Sequence, residues 1–113
     1  MDLKKLYGDV TVLLKREVPI YEFLASCDLG VRTLLCRYQK KLIVGKGEYI
    51  APEDLNSSVA LDGAFYPFLL YFIIGTLCSD EKMLEKSRDE AQNAYKMLWR
   101  AAARGKHIKN DRW

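Results

Sequence analysis

The chain has 113 residues, half of them apolar and 29% charged, with a formal net charge of +3. That length suits one domain with a single modest core, and seven Gly and three Pro argue against a disordered or fibrous chain. So small a positive charge permits a nucleic-acid contact without demanding one, because dedicated binders concentrate their cations on one face.

Leu3, Leu6, Val10, Leu13 and Leu14 recur at three- and four-residue spacing. This predicts an amphipathic first helix with Lys4, Lys5, Asp9, Lys15 and Arg16 on its wet side. Gly8 weakens it by about 1 kcal/mol relative to alanine, and Pro19 requires it to end beforehand. The opening Met1-Asp2-Leu3-Lys4-Lys5 does not read as a secretory leader. Cys27, Cys36 and Cys78 are therefore expected as buried free thiols in a reducing, cytosolic setting. Pro19 suits the first position of a second helix. The stripe Ile20, Phe23, Leu24, Cys27, Val31, Leu34, Leu35, Tyr38 and Leu42 carries it for about six turns. Gly30 marks a close neighbour or a slight bend, and Arg37, Lys40 and Lys41 offset the partial negative charge of its final carbonyls.

From 43 to 60 the character changes, with Gly45, Gly47, Pro52 and Asn56-Ser57-Ser58. Leu42-Ile43-Val44 and Glu48-Tyr49-Ile50 can pair across Gly45-Lys46-Gly47 as a short hairpin. A loop of this length is uncommon in a small domain unless it has a task. Val44, Lys46, Glu48, Tyr49 and Ile50 are therefore candidate contacts to a neighbouring subunit or protein. Asp62 can cap a third helix, which tolerates Pro67 only in its first turn and so starts between Ala64 and Tyr66 and runs to Leu77. Its near-uniform apolarity places it at the centre of a bundle or against a partner. The apolar run Ala64 to Cys78 falls short of the roughly 20 residues that span a bilayer. Ser79 or Asp80 caps a fourth helix, with Met83 or Leu84, Ser87, Ala91, Ala94, Tyr95, Leu98 and Ala102 on its inner stripe. It is expected to run to about Arg104, where Gly105 is placed to stop it. The expected architecture is all-α: a four-helix domain over 1–105, a long irregular arm between the second and third helices, and a basic tail over 106–113.

The residues do not assemble a catalytic or metal-binding set. Cys27 and Cys36 fall on opposite faces of one helix, and the single histidine, His107, lies in the tail. A thiol or hydroxyl nucleophile wants a base within reach, whereas Asp28, Glu53, Asp54 and Asp62 read as capping or solvated carboxylates. Gly45-Lys46-Gly47-Glu48 lacks the spacing of a phosphate loop. Lys40, Lys41 and Lys46 are candidate phosphate or DNA contacts. In the tail, Arg104, Lys106, Lys109 and Arg112 could bind nucleic acid with an aromatic end. The segment could equally be a solubilising end, or a docking segment anchored by Ile108 and Trp113.

Three stretches carry a resemblance: Val31-Arg32-Thr33-Leu34-Leu35-Cys36-Arg37-Tyr38-Gln39-Lys40-Lys41, Leu61-Asp62-Gly63-Ala64-Phe65-Tyr66-Pro67-Phe68-Leu69-Leu70-Tyr71, and Ala91-Gln92-Asn93-Ala94-Tyr95-Lys96-Met97-Leu98-Trp99-Arg100. In their order and pattern they resemble the small head–tail connector (adaptor, or head-completion) proteins of tailed bacteriophages. The likeness covers most of the chain and is one of pattern, not of strict motif; Gln39 stands where many relatives carry proline. It implies a structural subunit that joins its copies side by side, twelve to a ring, between the portal and the next neck or tail protein, with DNA passing through. It also implies that the tail (Lys106, His107, Ile108, Lys109, Arg112, Trp113) docks on the portal and that the arm faces a neighbour. No enzyme activity, cofactor or membrane partner would follow, and the protein would reside in the virion neck after assembly in the host cytoplasm. The other reading open at this stage is a small helical nucleic-acid-binding, packaging or regulatory module.

Overall fold

The computed structural model describes the backbone of residues 1–45 and 47–110, and the side chains of residues 1–45 and 47–103. Its elements are α1 (Leu3–Leu14), α2 (Ile20–Arg37), the short α3 (Lys40–Val44), a 3-10 turn (Gly63–Phe65), α4 (Tyr66–Cys78) and α5 (Glu81–Asn110). The all-α class is as the sequence predicts, and the molecule measures 57 × 29 × 22 Å.

The helix ends follow local chemistry. Asp2 caps α1, its carboxylate accepting from the backbone N–H of Lys4 (3.0 Å) and Lys5 (3.3 Å). Lys15, in the left-handed region at φ 55°, closes the helix ahead of Pro19. Pro19 itself takes the cap position of α2. Asp80 caps α5, accepting from Lys82 (3.0 Å) and Met83 (3.3 Å), whereas Asp62, accepting from Ala64 N–H at 2.9 Å, caps the 3-10 turn and not α4 itself, whose N-cap Phe65 makes no side-chain bond.

α4 is the central element, packed on α5 along its length and on α2 and α1. Its all-round apolarity is thereby used, with Phe68, Leu69, Ile73 and Ile74 buried. Leu3, Leu6 and Val10 of α1, Phe23, Cys27, Val31 and Leu34 of α2, and Ser87, Ala91 and Ala94 of α5 close the core around it. Small residues let the helices approach. A Cβ on Gly30 would sit 2.8 Å from Leu69 Cδ1, and one on Gly75 would sit 2.9 Å from Leu84 Cγ and 3.1 Å from the Leu84 nitrogen. Gly30 thus marks a close neighbour, one of its two sequence readings.

Three expectations need correction. The second helix does not run to Leu42; Tyr38 turns extended (φ −126°, ψ 165°) and the chain restarts as α3. The break carries no proline or glycine and is tertiary in origin. Tyr38 stacks on Tyr95 of α5 with ring centroids 4.4 Å apart, and the redirected α3 buries Ile43 and Val44. Because Leu42–Val44 is helical, the hairpin does not form, and no strand occurs among the described residues. Gly105 does not end the last helix, which continues to Asn110. A glycine inside a helix costs only about 1 kcal/mol relative to alanine, too little to stop it.

Candidate interaction surfaces

The segment between α3 and α4 is stitched down more than an arm would be. Its far half is tied to the N-terminus: the Met1 ammonium donates to the Val59 carbonyl at 3.2 Å, and Asp2 and Ser58 form an isolated antiparallel bridge. Val59 and Leu61 are buried, and Asp62 N–H donates to the Ile43 carbonyl at 3.0 Å. The near half is anchored on α2. The Tyr49 hydroxyl donates to Asp28 at 2.5 Å, and Arg32 donates through Nε to both oxygens of the same carboxylate at 3.0–3.1 Å. Arg32 also lies over the Tyr49 ring, 5.8 Å from its centroid. Burial, and then the bond to Asp28, raise the Tyr49 hydroxyl above its ordinary pKa, and the bond to Asp28 raises that of Arg32. An Asp and an Arg four residues apart on one helix are a legible pair; Tyr49 as their third member is not, because it comes from 21 residues away.

Of the candidate arm contacts, Val44 is a correction: at the end of α3 it is buried and unavailable to a neighbour. Glu48 is exposed, Tyr49 is half-buried against α2, and Ile50 is 76% exposed. Lys46 lies outside the described residues. In the tail, the backbone of Lys106, His107, Ile108 and Lys109 belongs to α5; their side chains, with Arg112 and Trp113, lie outside the described residues. The thiols also need correction. Cys27 is buried, and desolvation pushes its pKa up to about 12, whereas Cys36 and Cys78 are exposed.

The fold brings together two parts of the chain that the sequence keeps apart. α3 packs on the second half of α5. Burial of Ile43 and Val44 turns Lys40 and Lys41 outward, and both are exposed. Gln39, Lys41 and Leu42 face Trp99, Ala102 and Ala103 of α5 across a shallow groove of about 210 Å³, and Trp99 is 55% exposed. On the adjoining face of α5, Lys96 and Arg100 are exposed around Met97. The Tyr38–Tyr95 stack sets this register, because Tyr95, Trp99 and Ala102 share one flank of α5 at four- and three-residue spacing.

Two apolar surfaces remain. Val12, Leu13, Ile20 and Tyr21 form an exposed corner where α1 passes into α2. A groove of about 480 Å³ between α2, α4 and α5 has Phe68, Phe72 and Leu84 on its wall and Arg37, Arg88 and Glu81 on its rim. Thr33 and Arg37 lie three to five turns along α2 from Ile20 and Tyr21 and about 100–160° around its axis, so corner and groove look away from each other. Among the described residues, no cluster of three or more His, Cys, Asp and Glu could hold a metal ion, and no helix is long and apolar enough to cross a membrane.

Compared with protein-family models, with curated proteins and with solved structures, the chain matches none.

Proposed function

We propose that the chain is a ring-forming connector subunit that joins a phage portal to the tail around the DNA channel. The observation that carries this reading is the amount of unpartnered surface on so small a domain. An apolar corner (Val12, Leu13, Ile20, Tyr21) and a groove whose half-buried apolar wall is Phe72 and Leu84 sit on opposed faces of α2. Different patches that meet between copies give a head-to-tail contact, which closes into a ring or runs on as a filament. Corner into groove, repeated through twelve copies, would make the ring. The exposed stretch around Glu48 and Ile50 would contact a neighbour or the next neck protein, and the chain from Lys106 to Trp113 would dock on the portal. The pattern likeness to connector proteins supports the same reading.

The test is to mix the purified chain with portal rings and image the mixture by electron microscopy. An added ring on the narrow end of the portal is expected, lost when residues 106–113 are deleted and when Tyr21→Glu places a charge in the corner. Bare portals at concentrations well above micromolar would refute the proposal.

A further inference from the structure

The modest net charge conceals a sharp segregation. Residues 33–47 and 91–110 together hold nine of the 18 Lys and Arg and none of the 15 Asp and Glu. The remaining residues hold nine cations against 15 carboxylates, a net charge of −6 on a chain whose total is +3. The two acid-free stretches are far apart in sequence, yet α3 packs on α5, and of their cations Lys40, Lys41, Lys96 and Arg100 are exposed on these two helices. Trp99 stands half-exposed in a groove that Lys41 also lines, with Lys96 three residues before it and Arg100 next to it on α5.

We infer that this surface is a binding site for single-stranded nucleic acid. A polyanion is the partner that charge complementarity requires, since a mixed-charge protein face would leave this many like charges unpaired. The aromatic narrows the class. Cations that track a backbone beside an exposed indole on which a base can stack are the combination that holds single strands without sequence preference. Gln39 on the same groove presents an amide that can meet a base edge. In this role Lys40, Lys41, Lys96 and Arg100 hold phosphates and Trp99 holds a base. The site needs neither ring formation nor a portal, so it goes beyond the connector reading.

The test is fluorescence anisotropy of the full chain with a labelled oligothymidine strand, and with a duplex of equal length, across a salt series. Four phosphate contacts on a single strand predict a loss of affinity of roughly 50-fold between 50 and 200 mM salt. Trp99→Ala should weaken the single strand at least tenfold and the duplex far less. Lys40→Glu with Lys41→Glu should remove binding of both, while Lys4→Glu with Lys5→Glu, on α1, should change little. Circular dichroism of each variant establishes that it is folded. No binding at low salt, preference for the duplex, or indifference to Trp99→Ala would overturn the inference. So would equal competition by polyglutamate, which would reassign the surface to an acidic protein. If oligothymidine fails to bind while portal rings still acquire added density, this inference falls and the connector reading stands.

Discussion

Three glycines in helices make one substitution, to alanine, give three different answers. In an unstrained helix the change gains about 0.5–1 kcal/mol by reducing the freedom of the unfolded chain and by better propensity. At Gly8 nothing lies within 4 Å of the new methyl, so the whole gain should appear. At Gly30 the methyl would meet Leu69 Cδ1 at 2.8 Å and Phe72 Cδ1 at 3.0 Å, the far ends of side chains that can give way. At Gly75 it would meet Leu84 Cδ2 and Cγ at 2.9 Å and the Leu84 backbone nitrogen at 3.1 Å, and backbone cannot yield without parting α4 from α5. Overpacking of this kind costs about 1–3 kcal/mol, and contact with backbone puts Gly75 in the upper half of that range, which leaves Gly75→Ala destabilised by about 1–2 kcal/mol after the helix gain. Thermal unfolding followed by circular dichroism should therefore place Gly8→Ala above the parent, Gly30→Ala near it and Gly75→Ala below. At about 4 °C per kcal/mol the extremes should differ by roughly 8 °C. A Gly75→Ala protein as stable as the parent, or a Gly8→Ala protein less stable, would refute the packing described for α4 and α5.

Thiol titration with a colourless aromatic disulfide at about pH 8 should find two fast-reacting groups, Cys36 and Cys78, and a third only in denaturant. With its pKa near 12, Cys27 holds about one part in ten thousand as thiolate at that pH. Three fast groups would contradict its burial. Tyr49 and Tyr66 both ionise later in the fold than in the unfolded chain, because burial and hydrogen bonds to Asp28 and Asp9 favour the neutral phenol. Their contribution is complete below about pH 10 and declines above it. Urea midpoints of the double variant Tyr49→Phe with Tyr66→Phe should accordingly fall less between pH 9 and 11 than those of the parent; parallel curves would count against both bonds. Asp80→Ala removes the cap of α5 and should lower stability by about 1 kcal/mol, read in the same urea experiment, whereas no change would mean that the two bonds contribute nothing. Leu69→Ala, at the centre of the core, should cost about 2–5 kcal/mol, and full retention of the midpoint would contradict its complete burial.

The parts of the fold written in local chemistry were readable from the sequence. Periodic leucines announce α1, Asp80 announces the start of α5 by the capping chemistry the structure shows, and Asp62 announces the 3-10 turn that leads into α4. The uniformly apolar stretch 64–78 announced a central helix. What escaped was set by contacts between distant residues. Nothing near Tyr38 signals a break, because its cause is Tyr95. Val44 read as part of a hairpin because Leu-Ile-Val suits a strand, and only the turn of α3 shows why it is buried. Gly105 read as a stop because glycine often is one, yet a modest propensity penalty cannot halt a helix of 30 residues. Cys36 and Cys78 read as buried because free thiols usually are. Of the cationic surface, Lys40 and Lys41 were visible as candidates. Their partners Trp99, Lys96 and Arg100 were not, since only the packing of α3 on α5 brings them alongside.

The separation of charge also governs how the molecule behaves at a distance. At physiological ionic strength a charge is felt over about 8 Å, far less than the 57 Å length of the protein. A large charged body therefore meets a local surface and never the net charge. The protein should be held on a cation-exchange resin at neutral pH more tightly than a net charge of +3 suggests, through Lys40, Lys41, Lys96 and Arg100. Near a polyanion it should present the face that carries Lys40, Lys41, Lys96 and Arg100.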